Sequence, residues 1–326
     1  MQDQKKSLSI FSFSKKQLRF LLMCGIFFLP IIALYIMVEM KVSEIPNRFS
    51  VIREYIKEDG DKIEIAVFGS SQIQNGINPE FLNKPTINLG SLGQHHNTDF
   101  TLLKGLKNRF PNLKTVVFEA SYGHFEIPHN SKYYWKNSVF LKYYHVNTFG
   151  RPVTPKDSLL FISHPGKFSK IISDYYLKTA EINRVNQYGF DTLNFEGKYK
   201  KQNYDSLSII KKPIKIYKRE SLETFHYNAN YFYNMIDYCI EQNLQVIILS
   251  PPTQSHYNVL RNNSILKRRN RVLSQVKETY NNIHLLNLET DLSFTIKDFK
   301  NENHLNPNGA KKLTIKLDSL INTIEK

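Results

Sequence analysis

Cysteine is nearly absent: 326 residues hold two, Cys24 and Cys239. The first lies in an apolar run and the second in a helical pattern, and neither belongs to a CxxC pair or a Cys/His cluster. That removes the grounds for a zinc site or a disulfide framework. No other pattern calls for a metal or a cofactor. The chain also has no internal repeat and no low-complexity tract. Acidic residues are few beside basic ones, 29 Asp and Glu against 44 Lys and Arg, which gives a formal net charge of +15. The excess is dispersed, as in Lys5 and Lys6, Lys15 and Lys16, Lys211 and Lys212, Lys267-Arg268-Arg269, and Lys311 and Lys312. Dispersed charge implies solvated helix faces first, and attraction to anionic headgroups or an acidic polymer second. No nucleic-acid motif accompanies it, so nucleic acid is not an expected partner.

One long apolar run is present. Residues 20–38, FLLMCGIFFLPIIALYIMV, carry no charge. At the helical rise they span roughly 28 Å, close to the hydrocarbon thickness of a bilayer. Pro30 is tolerated in a membrane helix. The run ends in Met37-Val38-Glu39-Met40-Lys41 with no A-x-A cleavage pattern, unlike a signal peptide. Lys5, Lys6, Lys15, Lys16 and Arg19 precede it. The positive-inside rule therefore predicts a cytoplasmic segment 1–19, a transmembrane anchor 20–38, a stalk or first helix over 39–62, and a main domain 63–326 outside the cytoplasm, periplasmic if the cell is Gram-negative.

From residue 63, short β-rich runs (64–68, 85–89, 113–119, 244–250, 283–288) alternate with helical patterns near 95–109, 220–242, 262–281 and 306–324. This alternation predicts βαβ units, hence an α/β three-layer sandwich with a mainly parallel sheet. Continuous apolar strands such as Val246-Ile247-Ile248-Leu249 suit a sheet covered on both faces. Residues 123–219, rich in Tyr, Phe, Lys and Asn, interrupt the rhythm. They read as an insertion that either caps a binding groove or packs on the sheet.

Two polar sites carry chemistry. Val67-Phe68-Gly69-Ser70-Ser71-Gln72 ends a strand abruptly in Gly-Ser-Ser. A serine there exposes its hydroxyl at the carboxyl edge of the sheet, and its N–H can face an oxyanion. Taken alone, this block is better explained by a helix N-cap at Ser70. The second site, Asn301-Glu302-Asn303-His304-Leu305-Asn306-Pro307-Asn308-Gly309, precedes the last helix.

Together these blocks resemble the SGNH (GDSL-like) hydrolases, over about residues 60–124 and 221–326. The resemblance places the nucleophile at Ser71, with Ser70 serving the turn. Asn88-Leu89-Gly90-Ser91-Leu92-Gly93 is similar to the second block, so the N–H groups of Ser71 and Gly93 would form the oxyanion hole. His304 takes the place of the base. The His-Leu-Asn phrase with Gly309, and the loop Ser250-Pro251-Pro252, resemble membrane-anchored SGNH-like proteins of cell-envelope polysaccharide acylation. Two departures stand out. The third block's asparagine is missing from Glu119-Ala120-Ser121-Tyr122-Gly123-His124, and Asn301 replaces the acid that would orient His304. Asp298 and Glu302 are candidate substitutes for that acid.

The expected activity is that of an extracytoplasmic serine esterase or O-acyltransferase acting on an envelope polysaccharide or glycolipid. The alternative is a catalytically impaired protein of the same fold that binds the polymer or partners a polytopic membrane acyltransferase.

Overall fold

The computed structural model describes residues 14–128, 134–178 and 185–324. Lys5 and Lys6, and parts of the 123–219 segment, lie outside the described residues. The chain begins with helices α1 (Lys15–Glu44) and α2 (Arg48–Asp59). There follow β1 (Ile65–Phe68), α3 (Ser71–Gly76), β2 (Thr86–Asn88), α4 (His96–Leu106) and β3 (Thr115–Glu119). The interrupting segment carries α5 (Lys136–Tyr144), α6 (Leu160–Ser163), α7 (Pro165–Ile172) and α8 (Ser206–Ile210). Alternation resumes with α9 (Leu222–Glu241), β4 (Gln245–Ser250), α10 (Ser255–Val259), α11 (Asn263–Thr279) and β5 (Ile283–Asn287). A short antiparallel pair, β6 (Phe299–Asn301) and β7 (His304–Leu305), leads into α12 (Pro307–Ile324).

Five strands form one parallel sheet in the order β2-β1-β3-β4-β5. Successive strand residues face opposite sides. Ala66, Phe68, Val116, Phe118, Val246 and Ile248 face the layer containing α4, α9 and α11, where Leu102, Phe232 and Val276 meet them. Ile65, Val67, Val117, Ile247 and Leu249 face the other layer, against Leu313, Leu317 and Ile321 of α12. The continuous apolar strands are thus explained by burial on both faces. The strand order switches sides between β1 and β3, and open α/β sheets bind ligands at the carboxyl ends of strands beside such a switch.

Three findings refine the sequence reading. Residues 48–59 are a helix that belongs to the fold, since Ile52 and Ile56 are buried in the main core. Fold-bearing chain therefore begins before residue 63. The Lys267-Arg268-Arg269 run is not wholly a solvated face either. Arg269 is buried and donates to Glu289 at 2.6 Å, while Arg268 bridges Glu126 and Glu220. The aromatics of the interrupting segment divide between two tasks. Phe140, Tyr143, Tyr144 and Phe168 are core, whereas Tyr217 reaches the cavity described below.

Among the described residues α1 is the one helix long and apolar enough to cross a membrane, and its apolar window is not covered by the rest of the chain. Its last turns differ: Glu39 and Val42 are buried against the domain, as is Ile45 just beyond.

Candidate active site

β1 ends at Phe68, and Gly69 takes φ of +149°. A Cβ there would come within 2.5 Å of Ile73 and 2.7 Å of Glu119, so only glycine can make this turn. Ser70 then caps α3: its Oγ accepts from the Gln72 N–H at 3.2 Å. Ser71 is the first residue of the helix. Its N–H belongs to the first turn, whose amides have no acceptor within the helix.

The partner histidine comes from the other end of the chain. Asn301 ends β6 and His304 starts β7, so the two-residue turn between them sets the side chains together. The following residues explain the Leu-Asn-Pro-Asn-Gly phrase. Leu305 is buried, and Asn306 Oδ1 accepts from the N–H groups of Asn308 and Gly309 at the start of α12. A Cβ on Gly309 would lie 2.2 Å from the Asp298 carbonyl oxygen.

Ser71 Oγ lies 2.7 Å from His304 Nε2, although 233 positions separate them. On the other side of the ring, Nδ1 lies 3.0 Å from Asn301 Oδ1. That same oxygen accepts from the backbone N–H groups of His304 at 3.0 Å and Asn303 at 3.2 Å. An amide oxygen can only accept, so Nδ1 carries the proton and Nε2 offers its lone pair to the Ser71 hydroxyl. Burial, with the Lys300 charge adding to it, pushes the His304 pKa down to about 4. The imidazole is therefore neutral at neutral pH and is a weak base. Neither substitute acid bonds to it. Asp298 accepts from Thr295 and Lys312, and Glu302 pairs with Lys198.

Gly93 lines the same cavity of about 270 Å³ as Ser70, Ser71, His124, Tyr217 and Tyr257. The loop that carries Gly93 is held by two cations. Arg48 of α2 donates to the carbonyls of Asn88 (2.6 Å), Gly90 (2.9 Å) and Gly189 (3.1 Å). Lys136 of α5 donates to Ser91 Oγ at 2.7 Å and to the Leu92 carbonyl. Burial lowers the Arg48 pKa to about 10. It lowers that of Lys136 to about 7, with the Arg48 and Lys167 charges contributing. Sequence reasoning missed both cations, because nothing in the order of residues ties 48 or 136 to 88–92.

A carboxylate also sits beneath the Gly69-Ser70-Ser71 turn. Glu119, fully buried at the end of β3, accepts from the Ser70 N–H (2.6 Å), Ser70 Oγ (3.0 Å) and Ser121 Oγ (2.5 Å). His124 Nδ1 lies 3.4 Å away. Burial alone would raise the Glu119 pKa, but the charge and hydrogen bond of His124, with those of Ser121 and Ser70, outweigh it and hold the carboxyl ionised. Burial would lower His124, and Glu119 and Asp99 reverse that too, so its pKa rises. His124 lines the cavity wall in the region where the third block's asparagine was expected. A charged residue closing an apolar strand was the available signal. Glu119→Ala should destabilise the fold by about 3–5 kcal/mol, since it leaves the Ser70 N–H and the Ser70 and Ser121 hydroxyls without their buried acceptor. Equilibrium urea unfolding of the detergent-solubilised chain measures this, and a loss under 1 kcal/mol would show that the pair is not a structural anchor.

No protein-family model matches the sequence, and no curated protein matches it. Several solved structures resemble the chain, three of them as follows. One is a Streptococcus pneumonia protein named as a platelet activating factor, with 10% identity, 91% of this chain and 99% of that one covered, and a TM-score of 0.40. The second is a Bacteroides fragilis protein named as an acylhydrolase, with 9% identity, 84% and 97% covered, and a TM-score of 0.38. The third is a GDSL-like lipase from Bacteroides thetaiotaomicron, with 11% identity, 85% and 98% covered, and a TM-score of 0.39. Likenesses of this size carry no chemistry with them, and the reading of the site rests on its own geometry.

Proposed function

We propose that this chain is an SGNH-like serine esterase or O-acyltransferase. The observation that carries the reading is the relay from Ser71 through His304 to Asn301 at the carboxyl edge of a parallel sheet. Ser71 Oγ attacks an ester carbonyl while His304 Nε2 takes its proton, giving a tetrahedral oxyanion. The N–H groups of Ser71 and Gly93 face that oxyanion, and the Arg48 charge behind the loop favours it electrostatically. Collapse expels the alcohol, which leaves with the proton from His304. A water or an acceptor hydroxyl then repeats the sequence in reverse and releases the acyl group from Ser71.

The substrate we propose is an envelope polysaccharide or glycolipid outside the cytoplasm. Three features support it. The apolar α1 lies beside a cationic N-terminal flank, as an anchor with the domain outside requires. Arg48, four residues beyond α1, touches the oxyanion loop, which keeps the site within reach of a membrane surface. Tyr122, Tyr217 and Tyr257 line the cavity and offer ring surface to a sugar.

Fluorophosphonate labelling of the intact chain tests the reading. Labelling should be covalent, blocked by prior reaction with an activated ester, and flat from about pH 7 to about pH 5. It should fall as pH drops through about 4, because protonation of His304 removes the base. Labelling that declines already near pH 6.5, with the protein still folded by circular dichroism, would mean that a different group is the base.

A further inference from the structure

Helix α6 is fixed to α1 at the very end of the apolar run. The Glu39 carboxylate accepts the N–H groups of Leu160 (2.9 Å) and Ile162 (2.8 Å), the first turn of α6. Between them, the Phe161 ring lies 6.4 Å from that of Tyr35. Tyr35 is inside the uncharged run and Glu39 is the residue immediately after it. The two are separated by roughly 6 Å along the helix axis. Wherever the run is immersed, α6 must therefore straddle the boundary between hydrocarbon and headgroups. A carboxylate at that depth is costly unless it is paired, and the two amides of α6 supply its partners.

The next elements continue along the same level. α7 turns Phe168, Ile171 and Ile172 towards the core and leaves Lys167 and Lys170 exposed. A π-helical turn (Ser173–Leu177) follows, and its Tyr176 hydroxyl donates to the Lys41 carbonyl at 3.2 Å, next to the exit of α1. Here Tyr176 is 41% exposed and Leu177 78% exposed. Nearby acids are engaged: Asp157 by Arg151, Asp174 by Lys178 and Glu44 by Lys41. Lys156, Lys167 and Lys170 make no salt bridge among the described residues. Exposed Tyr and Leu beside lysines are what a bilayer interface accommodates: rings and alkyl groups at the acyl boundary, ammonium groups at phosphates.

We propose that Leu160–Leu177 is a foot that rests on the bilayer crossed by α1, with Leu177 and Tyr176 entering the acyl boundary and the lysines contacting anionic phospholipid headgroups. This rests on the reading of α1 as an anchor. The foot turns a flexible tether into a fixed mount, so that the cavity holds one height and orientation above the membrane.

The test uses the full chain in phosphatidylglycerol–phosphatidylcholine vesicles with brominated acyl chains. Trp135 is the only tryptophan. A Trp135→Phe background carrying Leu177→Trp is compared with the same background carrying Leu292→Trp, at a 93% exposed site in the loop after β5. At least twofold stronger quenching is expected at position 177. It should weaken in pure phosphatidylcholine, and Lys167→Gln with Lys170→Gln should remove that dependence on anionic lipid. Equal quenching at 177 and 292 in chains that co-float with vesicles after carbonate washing would overturn the foot alone and leave the surface to a protein partner. Loss of co-flotation would overturn the anchor, and the foot with it, while leaving the Ser71 chemistry untouched.

Discussion

Ser71→Ala is expected to abolish fluorophosphonate labelling and to lower any esterase or transferase turnover by ~10⁴-fold or more, the scale seen when a serine nucleophile is removed. The hydroxyl 2.7 Å from His304 Nε2 is the group whose proton that nitrogen can take. Ser70 serves as the control. Its hydroxyl accepts from the α3 N-terminus and donates to Glu119, so Ser70→Ala removes a cap and one hydrogen bond. That should cost about 1 kcal/mol of stability and leave most of the labelling intact. The opposite result, labelling lost with Ser70→Ala and kept with Ser71→Ala, would mean that the nucleophile has been placed one residue too late.

Asn301→Asp is expected to raise activity, by up to ~10⁴-fold if the acid-to-amide loss known for serine hydrolase triads runs in reverse. Asn301 Oδ1 already occupies the orienting position on Nδ1. An amide oxygen fixes the tautomer but offers only a dipole to the imidazolium that forms as Ser71 loses its proton; a carboxylate offers a full charge. The His304 pKa should therefore climb from about 4, and the acid limb of the pH profile should move upward with it. The sign is unambiguous: a raised pKa means more base strength at neutral pH and earlier protonation on acidification. The loop amides of Asn303 and His304 also donate to Oδ1, so a carboxylate there finds its hydrogen bonds in place. Higher activity with an unmoved pH limb would mean that the residue acts on substrate instead. No labelling in any variant would favour a polymer-binding role for the fold.

The sheet was legible because strands buried on both faces must be apolar throughout, and the runs around Ala66, Val117 and Ile248 are. The pairing of Ser71 with His304 was legible only from the two blocks taken together, since a Gly-Ser-Ser turn alone reads as a helix cap and a loop histidine alone as a surface residue. Asn301 could be aligned, but whether Asp298 or Glu302 reached the ring could not be read, since that depends on the turn between β6 and β7. Arg48 and Lys136 were invisible for a different reason. Each is one cation among 44 Lys and Arg, and its burial follows from tertiary packing alone. The interrupting segment hid its two tasks because Tyr and Phe serve core and surface alike.

The reach of Arg48 into the Asn88–Gly90 backbone bears on how a soluble version can be made. Trimming the chain to residue 63 would delete that guanidinium and leave the carbonyls of Asn88, Gly90 and Gly189 without their donor. Such a fragment can keep its sheet and still misplace Gly93, so its inactivity would say nothing about the intact protein. A start at Glu39 retains the arginine, the carboxylate under α6 and the buried Val42 and Ile45, while dispensing with the exposed apolar turns of α1. That boundary separates the exposed apolar turns from the residues that hold the Asn88–Gly93 loop in shape.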